Sequence, residues 1–384
     1  MLAIAAVACQ KENPETPTVD PLMHPFKEVV AKDGVFEIKA NINDAQKTIK
    51  FEDFQDVKDL KNIEVKFTLA EGAKLVSPKT IVGKFDLTNP IEVVVNNKVT
   101  DVKYTLSANK PGPNVVIAAG YELTDKFGAL PSHIRAYENA KMGTSKQVTA
   151  WIVEVANSKD LQLEIVGTGE KENVTVGIKG VAAEHPDYNF YMNGVCGQKS
   201  GVVKDGKFVC SASTPTAAFA IDTDGKFVIS PQKKVYDEAD KEKKNPKIAR
   251  YNENKEIINS DWKPKYMFGG TELMVAGGKK LPKEIRDWSC NNYAAGWYGT
   301  AVSSRAAVGV NKAGTKAFFF VCNKGTDGKD GLTMDQVIEA MLSIKCETVM
   351  FMEGSGSANM LINAKPTFVE NPGEKKTSAV LCIK

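Results

Sequence analysis

The chain has 384 residues, 42% hydrophobic and 25% charged, which is the balance of an ordinary soluble globular protein. That length holds two or three domains with ample core. A formal net charge of +3 gives no electrostatic case for nucleic acid, whose phosphates call for clustered cations, so no nucleic-acid partner is expected.

Residues 1–9 (MLAIAAVAC) are continuously apolar and then give way to polar sequence. A bilayer span takes about 20 residues, so this run is too short to cross one. It resembles the end of a bacterial lipoprotein signal peptide, with Ala6, Val7, Ala8 and Cys9 as the lipobox. The resemblance implies lipid on Cys9, a membrane partner through that anchor, and a place in the cell envelope, at the outer membrane or cell surface. Residues 10–23 carry Pro14, Pro17 and Pro21 and read as a tether. Besides Cys9 there are Cys196, Cys210, Cys290, Cys322, Cys346 and Cys382, with no CxxC pair, so a zinc ribbon is not expected. Most of the six read as small buried hydrophobes. His24, His133 and His185 are far apart, leaving little material for a His-based metal site or a Ser-His-Asp triad.

Residues 24–108 alternate apolar and polar in short runs, at 35–40, 47–52, 63–69, 91–95 and 102–106. Such spacing predicts a small β-sandwich. It resembles the Ig-like modules that follow the lipid anchor in Bacteroidetes surface lipoproteins. Pro111 and Pro113 around Gly112 mark the boundary with a second domain over 109–384.

The second domain reads as mixed. Residues 115–119, 145–155, 161–166 and 188–193 are strand candidates. Two hairpins turn at Asp205-Gly206 and Asp224-Gly225. Residues 232–262 are charge-dense and read as an exposed insertion, with a lid as the sharper alternative. Residues 266–278 read as a glycine-flanked strand pair. Residues 287–299 set Trp288, Tyr293, Trp297 and Tyr298 among amides and glycines, suiting either sugar stacking from a loop or anchoring of that loop. Ser303–Val310 and Thr315–Cys322 form a further hairpin, and an arginine in an apolar strand needs an anionic partner or a strand end.

Gly331–Ile344 predicts a helix, with Thr333 and Gln336 at capping-box spacing and an apolar stripe of Val337, Ile338, Met341 and Leu342. The apolar run that follows stops at Glu353, and Gly354, Ser355, Gly356 and Ser357 make a small loop. In open α/β sheets ligands gather at such strand ends. The expected fold class is therefore α+β: an N-terminal Ig-like β-sandwich followed by a larger mixed α/β domain with a central sheet.

Six stretches in order, namely 191–194 (YMNG), 200–206, 305–309 (RAAVG), 331–333 (GLT), 352–358 (MEGSGSA) and 376–382, resemble the phosphodiester glycosidase family over about residues 110–384. That family includes a mammalian enzyme that removes N-acetylglucosamine from mannose-6-phosphate diesters. The family's Asp-Gly-Gly-Gly-Ser loop is matched by residues 353–357, with glutamate for aspartate and serine for the middle glycine. An Asp-Gly dipeptide of the family is Cys322-Asn323 here.

The resemblance implies a hydrolase acting on a sugar 1-phosphodiester, N-acetylglucosamine-1-phosphodiester among its options, with Glu353, Arg305 and Asn193 as catalytic residues. Arg305 would pair the phosphate bidentately, and the amides of Gly354, Ser355, Gly356 and Ser357 would form an anion nest. Glycoside cleavage commonly takes two carboxylates, of which Glu353 is one; phosphate is already a good leaving group. Asn193 and Gly194 would hold the sugar, with Trp288, Trp297 and Tyr298 offering rings. No cofactor is assigned; Glu353 admits a divalent cation, although no ligand spacing demonstrates one. This enzymatic reading requires Arg305, Asn193 and the amides of 354–357 to converge. The alternatives are a non-catalytic glycan-binding surface lipoprotein with a degenerate site, and an adhesion or assembly protein.

Overall fold

A computed structural model describes residues 22–33, 36–52, 54, 57, 59–112, 114–142, 148–158, 161–169, 176–195, 201–290, 301–324, 331–368 and 375–384. It divides into two compact units. One takes in the described residues up to Ala31 with Lys39–Phe54 and Asp59–Lys110; the other takes in Lys32–Ile38, Gln55–Lys58 and Pro111–Lys384.

The N-terminal strands form a four-stranded sheet (Phe36–Lys39, Phe26–Asp33, Ile63–Leu69, Val82–Phe85) and a five-stranded sheet (Asn41–Asn43, Thr48–Phe51, Asp101–Ala108, Ile91–Asn96, Lys74–Ser77). Alternation decides which side chains are buried: Val93 and Val95 are inside, while Glu92 is outside.

The larger unit is built from three antiparallel sheets, not from a mixed α/β domain. Strands make up 49% of the described residues and helices 10%, which overturns the expected α+β class. An eight-stranded sheet runs in the order Glu122–Leu123, Ile134–Met142, Val148–Ala156, Lys316–Cys322, Arg305–Asn311, Cys346–Gly354, Leu273–Ala276, Lys279–Lys280. A seven-stranded sheet contains Thr216–Ile221, Phe227–Val235 and Tyr266–Gly269, and a five-stranded sheet contains Ala379–Ile383, Phe190–Asn193 and Met360–Ile362. All three contribute to one apolar core, which includes Met192, Phe268, Val308 and Met350. Phe319 joins them, its ring 4.8 Å from Phe190 and 5.5 Å from Phe219.

The other face of the eight-stranded sheet is covered by two helices, Val115–Ala118 and Met334–Ser343. The second is capped as expected: Thr333 accepts from the Gln336 amide, and Gln336 accepts from the Thr333 amide. It carries the chain from Lys316–Cys322 to Cys346–Gly354, two strands that flank Arg305–Asn311 and are each antiparallel to it. This crossover accounts for the α/β signature read at residues 331–353.

Three local expectations are also corrected. Residues 115–118 are helical because the Asn114 side chain accepts from the amides of Val116 and Ile117, an N-cap that outweighs β-branched content. The charge-dense segment supplies two strands of the seven-stranded sheet, Lys247–Tyr251 and Ile257–Asn259. Tyr266–Gly269 and Leu273–Ala276 belong to different sheets, so they are not a hairpin.

Candidate active site

Glu353 ends the strand Cys346–Gly354 and is buried. Its carboxylate accepts the Gly354 amide at 3.0 Å. The chain then makes one 3-10 turn, Ser355–Ser357, closed by the Ala358 amide donating to the Ser355 carbonyl. The turn is fastened to the chain before Arg305: the Ser355 amide donates to the Ser304 carbonyl at 3.0 Å, and the Ser304 hydroxyl donates to the Ser355 carbonyl at 2.8 Å. Ser355 has φ 56, the left-handed region that disfavours a side chain by about 1–2 kcal/mol.

Asn193 reaches the same turn from the five-stranded sheet. It is the last residue of Phe190–Asn193; its amide donates to the Asn359 carbonyl and its Nδ2 donates to the Ser357 carbonyl at 3.4 Å. Asn193 Oδ1 and Ser357 Oγ are both buried, and neither has a hydrogen-bond partner among the described residues. Leaving one such atom unsatisfied costs about 1–3 kcal/mol. Gly194 is required next to Asn193 because a Cβ there would lie 2.7 Å from the Ala379 carbonyl oxygen. Its amide donates to that same oxygen at 2.8 Å.

Arg305 does not join Asn193. Strand alternation divides the eight-stranded sheet cleanly: Ala306, Val308 and Val310 face the main core, whereas Ala307 faces the helices. Arg305 shares the helix face, paired across to Cys322, with its guanidinium 5.8 Å from the Phe351 ring. It is 1% exposed, and it donates through Nε to the Leu332 carbonyl at 3.1 Å and through a terminal nitrogen to the Ala301 carbonyl. Glu353 pairs across to Ala306, and a bulge between Ala306 and Ala307 lets both Met352 and Glu353 lie toward the core side. The described geometry thus gives Arg305 the work of holding the chain segments before its strand and before the capped helix.

The expected anion nest is narrower than four amides. Those of Gly354 and Ser355 are used within the protein. Lys324, two residues past the strand Lys316–Cys322, donates to Ser355 Oγ at 3.4 Å, a contact the sequence reading missed. Its only sequence signal was a cation following an apolar strand. Trp288 ends a short helix, Lys283–Trp288; its ring meets Tyr251 edge-on at 5.6 Å and carries the Lys255 ammonium at 5.9 Å. Its described contacts are therefore with the seven-stranded sheet and not with the turn. Trp297, Tyr298 and the lipidation candidate Cys9 lie outside the described residues. Among the described residues, no three of His, Cys, Asp and Glu cluster in a way that could hold a metal. A cavity of about 690 Å³ is lined by Glu164, Tyr188, Lys204 and Tyr266.

The phosphodiester glycosidase family model matches residues 172–384, more than half of the chain and the whole of the candidate site. The chain therefore belongs to the phosphodiester glycosidase family. Among solved structures it is similar to the catalytic domain of zebrafish N-acetylglucosamine-1-phosphodiester alpha-N-acetylglucosaminidase, auto-inhibited by its pro-peptide. Identity is 19%, coverage is 70% of this chain and 90% of that one, and the TM-score is 0.49. It is also similar to a hypothetical protein from Synechocystis, at 8% identity, 95% and 81% coverage and a TM-score of 0.50, a likeness of fold alone. No curated protein matches the chain.

Proposed function

We propose that this protein hydrolyses the glycosidic bond of a sugar 1-phosphodiester, with N-acetylglucosamine as the first sugar to try. Family membership supplies the reaction class, and one structural observation carries the reading: two orphaned buried oxygens, Asn193 Oδ1 and Ser357 Oγ, at the turn that Glu353 opens. Asn193 Oδ1 accepts only, so it calls for a sugar hydroxyl or an N-acetyl N–H. Ser357 Oγ both donates and accepts. Glu353 is the carboxylate for the anomeric carbon. Water oxygen bonds to that carbon, the C1–O bond breaks, and its electron pair leaves with the phosphate. Convergence of Asn193 with the turn supports this reading; Arg305, buried on the other face, lends it no support.

A second reading is favoured by the bond between Glu353 and its own neighbour's amide, an arrangement that also suits a loop organiser: a glycan-binding protein without turnover. Incubation with a sugar 1-phosphodiester in ¹⁸O-water separates the two. Hydrolysis at the anomeric carbon places the label in the released sugar. Label in phosphate would make the protein a phosphodiesterase, and binding without any release would make it a lectin.

We also propose that lipid on Cys9 anchors the protein in the cell envelope. Metabolic labelling with a fatty-acid analogue tests this: label present in the natural chain and absent in Cys9→Ala supports the anchor, and equal labelling in both removes it.

A further inference from the structure

With Arg305 bound to the carbonyls of Ala301 and Leu332, the negative charge of a phosphodiester needs another partner. A different cation stands at the turn. Lys324 places Nζ 3.4 Å from Ser355 Oγ. The sheet register brings the two to one edge, since Cys322 pairs with Arg305 and Arg305 pairs with Gly354. Ser355 holds a left-handed backbone that glycine would adopt without strain. What serine adds there is the hydroxyl that meets Lys324.

We propose that Lys324, oriented by Ser355, reads the anionic phosphate of the substrate beside the sugar-binding pair Asn193 and Ser357. This rests on the glycosidase reading and names the charge recognition within it. Lys324 is partly exposed, and its contact with Ser355 lies at an exposed position. An ammonium is a point charge with three rotatable donors and meets phosphoryl oxygens without the fixed fork of arginine. The charge it faces grows during the reaction. When the C1–O electron pair passes to phosphorus-bound oxygen, a singly charged diester becomes a monoester that can carry a second negative charge, and water delivers hydroxyl to the sugar and a proton to solvent or base. A cation placed there favours the transition state over the ground state. Ser355 is a positioning residue acting through Lys324.

Calorimetry with N-acetylglucosamine 1-phosphate and with N-acetylglucosamine tests this on the full chain and on Lys324→Ala, Lys324→Arg and Ser355→Gly. The natural protein should prefer the phosphorylated sugar. Lys324→Ala should lose about tenfold for it, which is about 1.4 kcal/mol, with unchanged affinity for the neutral sugar. Lys324→Arg should retain most of the preference, and Ser355→Gly should lose part of it while melting no lower than the natural protein. Equal binding of the phosphorylated sugar by the natural protein and Lys324→Ala overturns the assignment of Lys324 while leaving the glycosidase reading intact. Full preference in Ser355→Gly overturns the orienting role. Failure of the natural protein to bind either sugar overturns the N-acetylglucosamine reading of the site and this inference with it.

Discussion

Asn193 and Ser357 stand 164 positions apart in sequence and meet through the Nδ2 to carbonyl bond, each keeping one buried oxygen without a partner. The fold spends stability here on atoms that no described residue satisfies. Replacing Asn193 with Leu keeps the shape, removes the orphan Oδ1 and forfeits one long hydrogen bond. Stability should therefore change by no more than about 1 kcal/mol, while affinity for the sugar falls at least tenfold. Thermal melting read beside calorimetry checks both. A large loss of stability with sugar binding intact would show that Asn193 is structural.

Arg305 behaves in the opposite way. Truncation to Ala strips donors from the Leu332 and Ala301 carbonyls in a buried site, so it should destabilise by about 3 kcal/mol. Lys should not restore the loss, because one ammonium cannot span two separated carbonyls. Urea unfolding midpoints decide this. An Arg305→Ala protein of natural stability with lost turnover would return Arg305 to the substrate.

The cap of the helix Met334–Ser343 is testable by itself. Thr333→Ala removes the acceptor for the Gln336 amide and should cost about 1 kcal/mol in urea unfolding. Gly331→Ala, two residues earlier, should cost far more, since its Cβ would fall 2.4 Å from the Ser303 carbonyl carbon and oxygen, displacing the bridge between Ser303 and Leu332. Equal stability of the two variants would contradict the geometry at that bridge.

Burial pushes the Cys382 thiol up to about 12, with Glu164 and Asp187 adding to the effect, and burial also raises Cys346. In the unfolded chain a thiol titrates near its ordinary value, about 8.5. Between those two values the unfolded state loses protons that the folded state keeps, so stability falls as pH rises through that window. At pH 8 the native protein should leave Cys382 and Cys346 unalkylated, and denaturant should expose both. Site-mapped alkylation by mass spectrometry reads the outcome; rapid native labelling of Cys382 would refute the burial.

Legibility followed how local each signal was. The capping box at Thr333 and Gln336 and the hairpin turns at Asp205-Gly206 and Asp224-Gly225 were readable, because each rests on neighbours in sequence. The fold class was misread because the helical crossover between Cys322 and Cys346 carried an α/β signature into a domain of antiparallel sheets. In such sheets strand ends of both polarities share an edge, so the start of Arg305–Asn311 lies beside the end of Cys346–Gly354. Which face Arg305 takes depends on the parity of its pairing with Cys322, and a one-residue change in register would reverse it. No composition or spacing encodes that parity. The Lys324–Ser355 contact was equally hidden, since it joins the ends of two separate strands.

The central claim is that the turn opened by Glu353 is a working glycosidase site, and one measurement tests it most directly. Sugar release from an N-acetylglucosamine 1-phosphodiester is followed for the natural protein and for Glu353→Gln, with melting temperatures recorded on the same samples. The amide keeps the size of the side chain and removes its charge. Turnover by the natural protein is expected, with a loss of about a thousandfold or more in Glu353→Gln at matched stability, a barrier increase of about 4 kcal/mol. Undiminished release by Glu353→Gln would contradict it.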